Sequence, residues 1–173
     1  MKKSTIVALY IFGLAAIVLS GLIVFPKDDF KKDRMLFNGL LEVIGVADQM
    51  ELTQHADMSN FESREGRKKE MPVYESRMYS RTEIQALLKD LSHLGSNEFE
   101  LGALCFTPHH TMTFFAKSHQ IGSVEICFEC DRWALNKETM NPVQGSMEVF
   151  AAFVEEAGMD IDADWVKLAR NSD

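Results

Sequence analysis

The chain has 173 residues, 46% of them hydrophobic, and a formal net charge of −8. That length leaves room for one membrane segment and one globular domain of about 130 to 140 residues, large enough to bury a core of its own, and a second domain is not expected. The first 25 residues carry only Lys2 and Lys3 as charged groups, so the remainder is more acidic still. An acidic domain repels phosphate backbones, which argues against nucleic acid as the main partner.

After Met-Lys-Lys, residues Ser4 to Phe25 contain no charge and are mostly Ile, Val, Leu, Ala and Phe. This run is about as long as the roughly 20 residues needed to cross a bilayer's hydrocarbon core. It reads as an uncleaved signal-anchor over 1–25, with residues 4–25 in the lipid. A cleaved signal peptide has a shorter apolar region that ends in a small-x-small site, whereas here the run continues past Ser20-Gly21 to Phe25. Lys2 and Lys3 before the segment are nearly balanced by Lys27, Lys31, Lys32 and Arg34 after it. The very short N-terminal tail favours a single-pass protein with its domain outside the cytoplasm, periplasmic or at the cell surface.

Residues 26–34 read as a charged juxtamembrane linker and 35–173 as a single α+β domain. From Leu36 to Leu52 the pattern is mixed; Leu40, Leu41, Val43, Ile44 and Val46, with Gly39 and Gly45 weakening a helix, predict a buried strand near Leu40 to Ala47. Residues His55 to Glu70 lack periodicity and include Arg64-Glu65-Gly66-Arg67-Lys68-Lys69-Glu70, which reads as an exposed loop. Pro72 to Tyr79 predicts the next strand. Ser80 and Glu83 have capping-box spacing, and Ile84, Leu87, Leu88 and Leu91 recur at helical period, so a helix follows and ends at Gly95.

The stretch from Cys105 to Cys130 holds all three cysteines and three of the five histidines. Thr111 to Ala116 and Ser123 to Phe128 are β-rich runs joined by the polar segment Lys117 to Gly122, the pattern of a hairpin. Antiparallel pairing returns the chain to its start and brings Cys127 and Cys130 towards Cys105 and His110, at one end of the hairpin.

Three chemistries fit such a convergence. Cys105, His110, Cys127 and Cys130 form a soft ligand set of the kind zinc takes in structural sites, with Cys-x-x-Cys as one half. Cys127 and Cys130 alone are a candidate redox dithiol, although no helix start follows the pair to lower a thiol pKa. Buried thiols, or one disulfide with a spare cysteine, are the third reading. Residues 127 and 130 are three apart, so in a straight strand they face opposite sides, and only a turn or bulge brings them together. His109 and His119 read as polar loop histidines.

The combination Cys-Phe-x-Pro-x-His, a hairpin and Ile-Cys-Phe-x-Cys, preceded by a capped helix and followed by an Ala-Gly segment, resembles a widespread group of small uncharacterised bacterial proteins, many with an N-terminal signal or anchor. The resemblance spans about Val73 to Asp160. The group's usual string is Cys-Phe-x-Pro-Arg-His, so His110 matches its histidine and His109 stands where arginine is customary. The resemblance implies a shared fold and site and carries no activity.

Further on, Trp133 to Leu135 prolongs the sheet and Asn141-Pro142 with Gly145 marks a turn. Ser146 to Ala157 reads as a helix closed by Gly158. Asp160-Ile161-Asp162 is placed to cap a last short helix containing Trp165 and Leu168. No phosphate loop, nucleophile elbow or His-Glu-x-x-His is present. The expectation is a mainly antiparallel sheet with two or three packed helices and one N-terminal transmembrane helix. The functional expectation is a non-enzymatic, membrane-anchored binding or interaction module whose Cys/His cluster is a structural core or zinc-type site. The alternative is a membrane-tethered thiol-disulfide oxidoreductase using Cys127 and Cys130.

Overall fold

The computed structural model describes residues 30–56, 73–95, 98–165 and 167–168; the membrane anchor expected at 1–25 lies outside them. Among the described residues no helix is long and apolar enough to cross a membrane. In chain order the elements are α1 (Lys31–Val46), β1 (Gln49–His55), β2 (Val73–Ser80), α2 (Arg81–Ser92), β3 (His110–Ala116), β4 (His119–Cys127), β5 (Arg132–Leu135), β6 (Glu138–Met140) and α3 (Ser146–Glu156). The six strands form one sheet in the order β2-β1-β3-β4-β5-β6, and every pairing is antiparallel. Among the described residues the architecture is α+β, with three helices.

Strand alternation sorts the sheet into two unlike faces. Register aligns Met50 with Phe114, Leu52 with Met112, Met112 with Val124, and Ile126 with Trp133, and all of these side chains are buried. They form the face on which the helices pack. Trp133 sits within it, its ring 6.5 Å from Phe37 of α1 and 5.9 Å from Phe150 of α3. Positions on the other face, among them Glu51, Thr53, Thr111, Thr113, Ser123 and Glu125, are half-buried and polar.

Helix α1 stands where the sequence predicts a strand near Leu40 to Ala47. Its buried positions Asp33, Phe37, Leu40 and Ile44 follow the helical period. Within 40–47 alone, the dense apolar run satisfies periods of 2 and 3.6 equally, so the deciding residues lie upstream. The helix takes in Lys31 to Arg34, assigned above to the linker. Asp33 is buried there, its two oxygens accepting from the Asn141 backbone N–H (3.2 Å) and side-chain amide (3.0 Å). The strand of this region falls later, over Gln49–His55, where Met50, Leu52 and Gln54 point inward.

The capped helix forms as expected. Glu83 Oε2 accepts the Ser80 backbone N–H at 2.8 Å and the Ser80 hydroxyl at 2.7 Å, and Ile84, Leu87 and Leu91 are buried. It stops at Ser92, ahead of Gly95, with His93 Nδ1 2.7 Å from the Lys89 carbonyl. The β3–β4 turn is tighter than the six polar residues suggest. Lys117 and Ser118 both have positive φ (50° and 66°), the pattern of a two-residue hairpin turn, and pairing resumes at His119 opposite Ala116. A bulge at Phe114/Phe115 then resets the register. Gly122 sits under α1: a Cβ there would stand 2.9 Å from Val43 Cγ1, so its lack of a side chain sets how closely the helix rides on β4.

Candidate functional site

The site develops at the end of the sheet where β1 stops, β3 begins and β4 turns into β5. Cys127 is the last residue of β4, paired with Arg132. Phe128 to Asp131 reverse the chain, with the Asp131 N–H bonded to the Phe128 carbonyl at 3.3 Å and Asp131 at φ 48°. This reversal solves the odd spacing of the pair, because it folds Cys130 back to where its thiol and that of Cys127 interact.

The segment before β3 closes over this turn. The Ala103 N–H donates to the Cys130 carbonyl at 2.9 Å. Gly102 presses against the same turn, and a Cβ there would fall 2.4 Å from both Arg132 Cγ and the Asp131 carbonyl. No other residue fits without moving the loop. Held so, Cys105 comes near enough to Cys130 for the two thiols to interact. Cys130 therefore touches both other cysteines. It and Cys127 are buried and Cys105 is exposed, all three as free thiols.

The surroundings of Cys105 and Cys130 favour protonated sulfur. Burial pushes the Cys130 thiol above its ordinary value; the bond from Cys105 opposes this, while the bond to Cys127 adds to it. The Cys105 thiol is also pushed up, chiefly by its hydrogen bond to Cys130. Neither shift favours a thiolate, the form that attacks disulfides and binds metals.

His110 belongs to a different group. It pairs with Ile126 across β3 and β4, so it shares the core face with Ile126, and Cys127, the next residue, points to the other side. His110 is fully buried, its ring 5.3 Å from Phe128 and 5.7 Å from Trp165, both edge-on. Gln54 Nε2 donates to the Asp160 carbonyl at 2.8 Å and stands 3.5 Å from His110 Nε2. His110 Nδ1 has no hydrogen-bond partner among the described residues. Burial, with the neighbouring His55 and His109, lowers its pKa to about 4 from 6.5, against the opposing effect of Asp160.

The sequence places the three cysteines together, as the structure does, and adds His110 to them, which the register separates. Among the described residues no three His, Cys, Asp or Glu side chains are disposed to hold a metal ion. His109, read as a loop histidine, is buried and stacks on Trp165 with centroids 4.0 Å apart and planes 7° from parallel. His119 is exposed at the hairpin turn.

Three members of the histidine group escape the sequence reading: Gln54, His55 and Trp165. His55 Nε2 lies 2.8 Å from Thr111 Oγ1, and its Nδ1 lies 3.0 Å from the Ala56 carbonyl. The signal for Gln54 is the alternation Met50, Leu52, Gln54, which places an amide at the inward end of a strand. Trp165 arrives from the far end of the chain, beyond Gly158. There Asp164 rather than Asp160 caps the last turn, accepting the Lys167 N–H at 2.9 Å, and Asp160 closes a turn on the Asp162 N–H at 2.9 Å. Comparison with family models, with curated proteins and with solved structures gave no match.

Proposed function

We propose that this chain is a membrane-anchored binding module rather than an enzyme, in which the three cysteines clasp the loop before β3 to the β4–β5 turn. The observation that carries the reading is the state of Cys130. It is buried, it bridges the other two thiols, and its pKa is raised. A thiol-disulfide oxidoreductase needs the reverse, an accessible attacking thiol whose pKa is lowered, usually at a helix start. Cys127 and Cys130 lie instead at a strand end and in the turn that follows.

The histidine group fits the same role. A buried His110 with a lowered pKa is neutral near pH 7 and is walled in by Phe128, Trp165 and Gln54. It is positioned to close the end of the core. The uncharged run Ser4 to Phe25 supports the tether.

The test is a thiol-turnover assay on the full chain in detergent, following dithiothreitol-dependent reduction of insulin. The reading predicts no acceleration over the uncatalysed rate. Acceleration that disappears in Cys130→Ser would establish the oxidoreductase instead.

A further inference from the structure

Helices α2 and α3 do not close against each other along their outer side. Between them runs an open groove of about 430 Å³, far from the cysteines in the chain and unused by the reading above. Its floor is apolar: Leu87 of α2, Val149, Ala152 and Phe153 of α3, and the Tyr79 ring, whose centroid is 4.8 Å from that of Phe153. Its rims are acidic. Glu83 and Asp90 stand on α2, Glu148 and Glu156 on α3, all four exposed. Among the described residues no Lys or Arg lines it; Arg77 lies over the Tyr79 ring, 5.1 Å from its centroid.

The pattern follows from helix periodicity. Glu83, Leu87 and Asp90 are four and three residues apart, and Glu148, Ala152 and Glu156 four apart, so each helix offers one stripe with a carboxylate at either end and apolar residues between. At 1.5 Å per residue the stripes run for about 10 to 12 Å, the length of two turns of an opposing helix. Glu83 and Glu156 both act on the Tyr79 hydroxyl, which places the start of α2 beside the end of α3. The two acidic ends of each stripe therefore bracket the groove at both mouths.

A second feature points to an occupant. Tyr79 lines the groove and is 6% exposed, and its hydroxyl is buried with no hydrogen-bond partner among the described residues. An unpaired buried hydroxyl costs free energy that a bound group can recover. We infer that the α2–α3 groove is a docking site for a basic amphipathic helix of a partner protein. The partner's apolar side chains lie on Leu87, Val149, Ala152 and Phe153, and its Lys or Arg side chains reach the four carboxylates. Ala86 and Ala152 let the partner backbone come close, and long basic side chains lay their stems on the apolar floor while the charged heads meet the rim.

This deepens the binding-module reading and rests on it. The probe is a fluorescein-labelled amphipathic peptide of about 14 residues with Leu on one face and Lys on its flanks. It is titrated into the full chain in zwitterionic lipid nanodiscs, with empty discs as baseline. The decisive variant is Asp90→Lys with Glu156→Lys. Both positions lie in the last turn of their helices, where a cation suits the helix dipole, so the fold is retained. Saturable binding weakened by about tenfold or more in this variant, but much less in the charge-matched control Glu42→Lys with Glu129→Lys, is the expected result.

Ala152→Trp, which fills the floor and leaves the charges in place, is expected to abolish binding. Equal weakening by both charge pairs would reduce the effect to net charge and overturn the proposal, as would absence of binding to the unmodified chain. Self-association that is lost in Asp90→Lys with Glu156→Lys would put a second copy in the groove and overturn the assignment to a partner helix. Failure of the titration with no insulin reduction removes the groove alone. Insulin reduction removes the binding-module reading whatever the peptide does.

Discussion

His110 offers the most direct test of how the end of the core is built. Its pKa is lowered to about 4 in the folded chain from 6.5, so in the window between these values the unfolded chain binds a proton that the folded chain refuses. Stability is whole above pH 6.5, falls as the pH drops towards 4, and levels off below that as far as this group is concerned. Each pKa unit is worth about 1.4 kcal/mol, which makes the loss about 3 kcal/mol. Replacing His110 by Gln removes the titration and keeps a polar side chain beside Gln54. The assay is urea unfolding of the full chain in non-ionic detergent at half-unit steps from pH 4 to pH 7.5. The unmodified chain should lose about 3 kcal/mol more than His110→Gln across that window. Parallel stability curves would refute the reasoning, because they would mean that the ring is either solvated or already charged when buried.

Other residues give sharper local outcomes. Asp33→Ala leaves the Asn141 backbone and side-chain amides without their carboxylate, and should cost about 2 to 3 kcal/mol in the same denaturation. Ser80→Ala removes one of the two bonds that Glu83 makes to the cap and should cost about 1 kcal/mol. The Glu83 carboxyl is held below its ordinary value by the Ser80 N–H and then the Ser80 hydroxyl. Its contribution is therefore present above pH 4.5 and lost as the pH falls through its folded value, a loss that should shrink in Ser80→Ala. Gly102→Ala forces the loop off the Asp131 carbonyl and Arg132, and maleimide labelling of Cys130 in the native chain should speed up; an unchanged rate would mean that Gly102 does not hold the clasp closed.

Much of the scaffold is legible where sequence signals are local. The Ser80/Glu83 cap, the Ile84-Leu87-Leu91 stripe, the hairpin and the helix at Ser146 are each set by neighbours within a few residues, and each forms. The strand near Leu40 fails for a stated reason: five apolar residues in seven positions carry no usable period, and it is Phe37 and Asp33, one and two turns earlier, that commit the segment to a helix. Asp33 itself could not be found, since its partner Asn141 lies more than a hundred residues away.

The candidate site divides in the same manner. Convergence of the cysteines follows from hairpin pairing, and the turn at Phe128 to Asp131 supplies the reversal that the three-residue spacing demands. His110 is misplaced because the face on which it lies depends on register, and register becomes visible only when Gln54 and Ile126 are seen on either side of it. A shift of one residue would have turned it towards the thiols. Trp165 belongs to the site only through tertiary folding, and the acidic groove needs two helices from distant parts of the chain to be set side by side.

We propose that the cysteines form a clasp rather than a reactive centre. The measurement that tests it most directly is native-state alkylation of the full chain as a function of pH, with each cysteine followed by mass spectrometry. The account predicts that Cys105 alone reacts readily, with a midpoint above the ordinary thiol value of 9.0, and that Cys127 and Cys130 react only on unfolding. Rapid alkylation of Cys127 or Cys130 in the folded chain with a midpoint below pH 8, or a Cys127–Cys130 disulfide that opens and closes reversibly, would contradict it.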